Sequence, residues 1–153
     1  MKTACPAAIA AAASALVFFM TGLSPIAATA PGDRLPEVTS AAVPFYPPIL
    51  QVAHIEGDVQ LRISTDGKRL SSVEIRSGQP MLAKAAQENV KSWQFAPHAP
   101  STFEATFRYR LLPSRCDQEC NCVTSERPSI VLQLPRNVEV EASELKICGS
   151  DRE

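Results

Sequence analysis

The sequence predicts an α+β domain, a three-stranded antiparallel sheet with one main helix packed on it. Three observations predict this fold class. An alternating apolar pattern is interrupted by an Asp-Gly pair, an amphipathic stretch follows with apolar residues at helical spacing, and a second, longer alternating stretch comes last. The order hairpin, helix, third strand lets the apolar face of the sheet meet the apolar face of the helix.

The first alternating pattern predicts a β-hairpin. Val59, Leu61 and Ile63 alternate with polar residues, which is the period-two pattern of a half-buried strand. Asp66-Gly67 follows at once, and both residues tolerate the positive φ angles of a tight two-residue turn. The apolar residues of the return strand break the alternation once, which indicates a bulge or a short lead-in.

The main helix is predicted to start at Pro80 and to run for about thirteen residues. Pro80 suits a first helical turn, where its missing N–H costs nothing. Leu82, Ala86, Val90 and Trp93 then recur at helical spacing, and polar residues occupy the other face. The small alanines on the apolar face let this helix lie close against a sheet.

The third strand is predicted by the longest regular alternation in the chain, at residues 102–112. On one side this stretch places Phe103, Ala105, Phe107 and Tyr109, and its other side is polar. We therefore expect these four side chains to share one face of the strand. A sheet of only three strands also leaves an edge of unpaired backbone groups, which a protein must cover or use.

The chain divides into four parts. The domain is preceded by a targeting segment and a short linker and is followed by an extension, with predicted bounds 1–30, 31–45, 46–112 and 113–153. Pro47 and Pro48 suit the first turn of a short helix at the start of the domain. Short alternating apolar stretches in the extension predict short strands.

Residues 1–30 have the features of an export signal. Lys2 is followed by a long apolar run and then by Ala28-Thr29-Ala30, a small-x-small cleavage pattern. The alternative is an uncleaved membrane anchor, since the apolar run is long enough to cross a bilayer. Both interpretations place the rest of the chain in an exported space, where thiols are oxidised.

Four cysteines lie in the predicted extension. They are Cys116, Cys120, Cys122 and Cys148. An even number in an exported chain predicts two disulfides, whose connectivity stays open. A bond between Cys120 and Cys122 would close a very tight ring, so we expect each of them to pair elsewhere. The alternative is a metal site with four thiolate ligands, but no histidine lies near and the compartment oxidises thiols.

Composition and motifs argue against several other functions. The formal net charge of −1 is too balanced to favour binding to nucleic acid or to an anionic membrane. His54 and His98 have no acid or nucleophile arranged around them in the sequence, and neither a nucleophile elbow nor a phosphate-binding loop is present. We therefore predict no catalytic residue, no cofactor, no metal ligand and no small-molecule substrate.

Several short motifs occur in a characteristic order along the domain. They are Tyr46-Pro47, Gly57-Asp58-Val59, Asp66-Gly67, Ser77-Gly78, Trp93-Gln94-Phe95-Ala96-Pro97 and the alternating strand through Phe107. Each motif alone is common, but their order and spacing resemble the C-terminal domain of the TonB family. The resemblance covers residues 46–112, and it implies a binding module of the periplasm rather than an enzyme.

The resemblance also implies a mode of recognition. Domains of this family capture an extended segment of an outer-membrane TonB-dependent receptor as an added strand, in TonB-type transmembrane transport. The last strand carries the binding edge, assisted by the segment before Tyr-Pro. Transferred by position, the partner-binding residues are Val43, Pro44, Phe45, Phe103, Ala105, Phe107 and Tyr109. The partner is expected to be such a receptor or another envelope protein.

Three alternatives stay open at this level. The first is a structural envelope protein that uses the same edge for self-association, for example as a homodimer. The second is an anchored energy transducer, although its linker of about fifteen residues would reach at most roughly 50 Å. In the third, a tail strand near residues 129–134 pairs with the edge of residues 102–112, so that peptide capture there requires the tail to leave first.

Overall fold

The computed structural model describes residues 34–147. The export signal predicted at residues 1–30 and Cys148 lie outside the described residues. Within residues 34–147, no helix is long and apolar enough to span a membrane.

The described part of the chain is an α+β fold, as predicted. In chain order its elements are β1 (Val38–Ser40), α1 (Pro48–Val52), β2 (Gly57–Thr65), β3 (Leu70–Ser77), α2 (Pro80–Lys91), β4 (Gln94–Phe95), β5 (Ser101–Leu112), β6 (Ser114–Cys116), β7 (Cys122–Thr124), β8 (Ile130–Gln133) and β9 (Asn137–Ser143). The predicted short helix, hairpin, main helix and third strand correspond to α1, β2–β3, α2 and β5.

The main sheet has five strands in the order β3-β2-β5-β9-β8, so the prediction of three strands was wrong. The additional strands come from the C-terminal extension. β9 pairs with β5 in parallel, and all other neighbours in this sheet are antiparallel. The physical reason is that Val138, Val140 and Ala142 of β9 are buried and extend the apolar face of β5 by one further strand.

The hairpin loop is built differently from a tight two-residue turn. Only Gly67 has the positive φ that such a turn needs, at 105°. The Asp66 carboxylate instead accepts hydrogen bonds from the backbone N–H groups of Lys68 and Arg69 at 2.9 and 2.8 Å. These bonds, that from Arg69 foremost, lower the pKa of Asp66. The predicted bulge is confirmed by register shifts between β2 and β3.

The core lies between one face of the sheet and α2. Val59, Leu61 and Ile63 of β2 are fully buried and face the buried alanines and leucine of α2. Trp93 follows the helix and stacks on Phe107, with 6.1 Å between ring centroids. The residues that reveal the domain in the sequence are therefore mainly core residues.

We expect β9 to contribute to stability as a core strand. Val140→Ala removes a side chain that is 1% exposed, and it should lower the free energy of unfolding by about 1–3 kcal/mol. The matched control is Val131→Ala on the neighbouring strand β8, where 43% exposure predicts a change within about 0.5 kcal/mol. Urea unfolding of the oxidised protein measures both, and equal effects would contradict the placement of β9.

Candidate partner-binding edge

The four predicted side chains of β5 all point into the core. Phe103, Ala105, Phe107 and Tyr109 are 8%, 1%, 0% and 0% exposed. They pack against α2, β2 and their own aromatic neighbours rather than facing solvent. A partner can therefore reach this strand only through its backbone edge.

Most of that edge is already paired. β9 lies along residues 106–112 of β5, from Thr106 opposite Asn137 to Leu112 opposite Ser143. Thr106 N donates to Arg136 O at 2.7 Å at one end of this pairing, and Glu144 N donates to Leu112 O at 3.0 Å at the other. At Phe107 and Tyr109, where the resemblance implies a binding edge, the backbone edge of β5 is therefore covered by β9.

The extension does cover β5, but with a different segment from the one named in the open alternative. Residues 129–134, which that alternative placed on β5, include β8, which lies one strand further out. In the inner position, Val138 and Val140 of β9 are each 1% exposed, whereas Ile130 and Leu132 on the outer strand β8 are 41% and 44% exposed. Burial of apolar surface favours the more regular alternation of β9 beside the core.

Within residues 34–147, no strand pairs with the outer edge of the first part of β5. The backbone N–H of Thr106 points toward the β9 side, and N–H directions repeat every second residue along a strand. The N–H and C=O groups of Thr102 and Glu104 therefore point to the same side, where β9 does not reach. A cavity of about 580 Å³ lies here, lined on its flanks by Arg34 and Arg136. We call this feature the edge slot, defined by Thr102, Glu104, Arg34 and Arg136.

The edge slot is polar and carries more positive than negative charge. Arg34 and Arg136 flank it, and Glu104 is its one acidic lining residue. Among residues 34–147, neither arginine takes part in a salt bridge, whereas Arg108 and Arg110 on the same strand both pair with Asp58. In this described part of the chain, the two slot arginines therefore have no carboxylate partner.

The segment expected to assist the binding strand lies elsewhere. Ala42 N donates to Ser92 Oγ at 2.9 Å at the end of α2, and Tyr46 packs edge-on against Tyr109 at 5.3 Å. The residues between them, Val43, Pro44 and Phe45, therefore run toward the Tyr109 end of β5, which β9 covers. Val43 and Phe45 are exposed and Pro44 is buried.

The N-terminal residues that do flank the open edge are Arg34–Pro36, which the sequence analysis missed. The pairing of β1 with β4 positions Arg34–Pro36 beside this edge, and no pattern in the sequence predicts that pairing. Arg136 was missed for a similar reason, since it lies in the turn between β8 and β9.

The three cysteines among the described residues are disulfide-bonded, as predicted. Cys116 and Cys122 are bonded to each other and lie directly opposite one another on β6 and β7. Cys120 is also disulfide-bonded. In the loop between Cys116 and Cys122, the Asp117 carboxylate accepts hydrogen bonds from the side-chain amide and the backbone N–H of Asn121. These two bonds, the side-chain bond more strongly, lower the pKa of Asp117. The Cys116–Cys122 bond and the Asp117 hydrogen bonds thus close a compact loop within the extension, directly after β5.

His98 has a structural position. Its Nδ1 lies 2.7 Å from Ala96 O, which can only accept, so Nδ1 donates this hydrogen bond. Its Nε2 lies 2.8 Å from Thr65 Oγ1, within hydrogen-bond distance. His98 N also donates to Gly67 O at 2.9 Å. Because Thr65 is buried, this triad ties the hairpin loop to the segment before β5 rather than presenting a reactive hydroxyl.

Two tyrosine hydroxyls lie under the covered half of β5. Tyr46 donates to Ile55 O at 2.6 Å, and burial, with a smaller effect of Glu56, raises the pKa of Tyr46 to about 12. Burial and the neighbouring Tyr46 raise the pKa of Tyr109 still further. The Tyr109 hydroxyl is buried and has no hydrogen-bond partner among the described residues.

Comparison with known proteins finds one family match. Residues 42–111 match the family described as Gram-negative bacterial TonB protein C-terminal. No curated protein and no solved structure matches the chain. The match ends one residue before the end of β5, so β6 to β9, including the strand that covers the family's last strand, lie outside it.

The two tyrosines should respond oppositely to loss of the hydroxyl. Tyr109→Phe removes an unpaired buried hydroxyl and should leave stability unchanged or raise it by up to about 1 kcal/mol. Tyr46→Phe removes a made hydrogen bond and should lower stability by about 1 kcal/mol. Urea unfolding followed by circular dichroism checks the pair, and equal destabilisation by both variants would show that the Tyr109 hydroxyl has a partner.

Proposed function

Because residues 42–111 belong to the TonB C-terminal family, we propose that this protein is a protein–protein interaction module of the cell envelope. It binds a short extended segment of its partner by strand addition at the edge slot. The observation that carries the proposal is the open backbone edge at Thr102 and Glu104, on the strand that the family uses for recognition.

The geometry of β5 supports this mode of binding. The outward N–H and C=O groups of Thr102 and Glu104 can exchange up to about four hydrogen bonds with an added strand. β5 is held on its other side by β2 from Ser101 to Tyr109, and its alternate side chains Phe103, Ala105, Phe107 and Tyr109 are buried in the core. The edge is therefore already in its bound conformation, and little ordering entropy is lost on binding.

The extent of the slot limits what it can hold. β9 occupies the same edge from Thr106 onward, so an added strand in line with it has only Ser101–Ala105 to pair with. At about 3.3 Å per residue this corresponds to a segment of about five residues. We expect weak, reversible binding and a preference for a segment with a carboxylate near Arg34 or Arg136.

The partner class is the one that the family implies. We propose a TonB-dependent outer-membrane receptor or another envelope protein as the partner, and a non-enzymatic role in TonB-type transport. The module acts in the periplasm, exported by the segment at residues 1–30 or held by that segment in the inner membrane. Energy transduction needs the anchored form, whereas simple capture of a partner segment does not.

Peptide binding tests the proposal. Peptides that span the TonB box, the extended segment of a TonB-dependent receptor that such domains capture, should bind the oxidised protein more tightly than scrambled peptides do. Fluorescence anisotropy measures both affinities. Thr102→Pro removes one outward donor without touching the pairing with β2, and it should weaken binding about 3- to 10-fold. Arg136→Glu should weaken the binding of acidic segments by a similar factor.

The matched control is Arg76→Glu, the same charge change on the exposed strand β3 at the far side of the sheet. It should leave binding unchanged, and circular dichroism verifies that each variant is folded. Equal binding of scrambled peptides, or no effect of either slot variant, would contradict the proposal.

A further inference from the structure

The outer strand β8 is an unusual sheet edge. Ile130, Val131 and Leu132 are 41%, 43% and 44% exposed, and no charged residue occurs from Pro128 to Pro135. Exposed edge strands in soluble proteins usually carry charges that prevent pairing with another chain. An uncharged, aliphatic edge therefore indicates a surface that another strand covers.

The opposite edge of the same sheet provides the contrast. β3 carries Glu74 and Arg76, and Lys68 and Arg69 precede it directly. Its apolar residue Ile75 is 47% exposed, as much as those of β8, but it lies between the two charges. The protein thus protects one outer edge of the sheet by charge and leaves the other without that protection.

Among the strands of residues 34–147, β8 pairs only with β9, so one side of its backbone has no strand partner there. Glu141 N donates to Ser129 O at 2.9 Å, and Val131 lies opposite Glu139. Hydrogen-bonded pairs recur every second residue in an antiparallel ladder, so Ser129, Val131 and Gln133 face β9. The N–H and C=O groups of Ile130 and Leu132 consequently point outward.

We propose that β8 pairs antiparallel with β8 of a second copy of this chain, with the two-fold axis at Val131. This register places Ile130 opposite Leu132 of the partner subunit and makes all outward groups of both residues hydrogen-bonded. The two five-stranded sheets then form one continuous sheet of ten strands.

The pattern of β8 favours a second copy over a foreign strand, because the pattern is self-complementary about Val131. Aliphatic residues lie on both sides of Val131, so each meets an aliphatic residue in the two-fold arrangement. The nearest flanking charges, Arg127 and Arg136, do not face each other in this register, so no like-charge pair opposes it.

The side-chain positions agree with this arrangement. Ile130 lies opposite Val140 and Leu132 opposite Val138, both buried core residues on the helix-covered face. Pairing of two β8 strands therefore covers the exposed side chains of Ile130 and Leu132 at the edge of the apolar face.

The interface uses residues outside the matched domain and leaves the edge slot free, so this proposal stands independently of the proposed function. A dimer would present two edge slots to its partners, which raises avidity.

Sedimentation of the exported, disulfide-bonded protein tests the proposal. The wild-type protein should show a concentration-dependent monomer–dimer equilibrium at concentrations up to about 1 mM. Val131→Lys and Val131→Glu each place two like charges directly across the axis, and each should weaken the dimer by about 100-fold. A 1:1 mixture of the two variants should restore dimers, because opposite charges then meet at the same position.

The control is Ile75→Lys, an equally exposed aliphatic residue on the other outer strand, which should dimerise like the wild type. A wild-type protein that stays monomeric would overturn the proposal, as would dimers of Val131→Lys at wild-type strength. A mixture of folded variants that stays monomeric would exclude the register, and loss of dimers in Ile75→Lys would place the interface on β3.

Discussion

The parallel pairing of β9 with β5 is the interaction on which the rest of this structure depends. It adds Val138 and Val140 to the core beside Phe107 and Tyr109, so that five strands rather than three share one apolar face. The same pairing closes the edge of β5 beyond Thr106 and carries β8 to the outside of the sheet. The length of the edge slot and the existence of an aliphatic outer edge are both consequences of where β9 begins and ends.

This arrangement bears on the proposed recognition by strand addition. That mode needs a free edge on β5, and the chain's own extension takes most of that edge. Among the described residues, what remains is a short, polar slot between Arg34 and Arg136 at one end of β5. The outermost strand, by contrast, is uncharged and apolar. The two edges therefore differ in chemistry, which is why we propose a short partner segment for one and a second copy of the chain for the other.

The elements with strong local patterns were predictable from the sequence, and their neighbours in space were not. The alternation of Val59, Leu61 and Ile63 and the helical spacing from Leu82 to Trp93 reflect burial on one face, which period alone reveals. The extension was also seen to contain strands. The order of these strands in the sheet could not be predicted. The alternation of Val138 and Val140 shows only that β9 has one buried face, whereas its parallel pairing with β5 is decided by long-range packing. Arg34 and Arg136 reach the slot through β1 and through a turn, neither of which has a signal in the sequence.

Amide hydrogen exchange along β5 tests the central claim most directly. In the oxidised protein, the account predicts that the N–H groups of Thr106, Arg108 and Arg110 exchange slowly, near the limit set by global unfolding, because β9 pairs with them. The outward N–H groups of Thr102 and Glu104 should exchange much faster. Fast exchange at all five positions would show that β9 does not lie on β5, and slow exchange at Thr102 and Glu104 would show that the edge slot is closed.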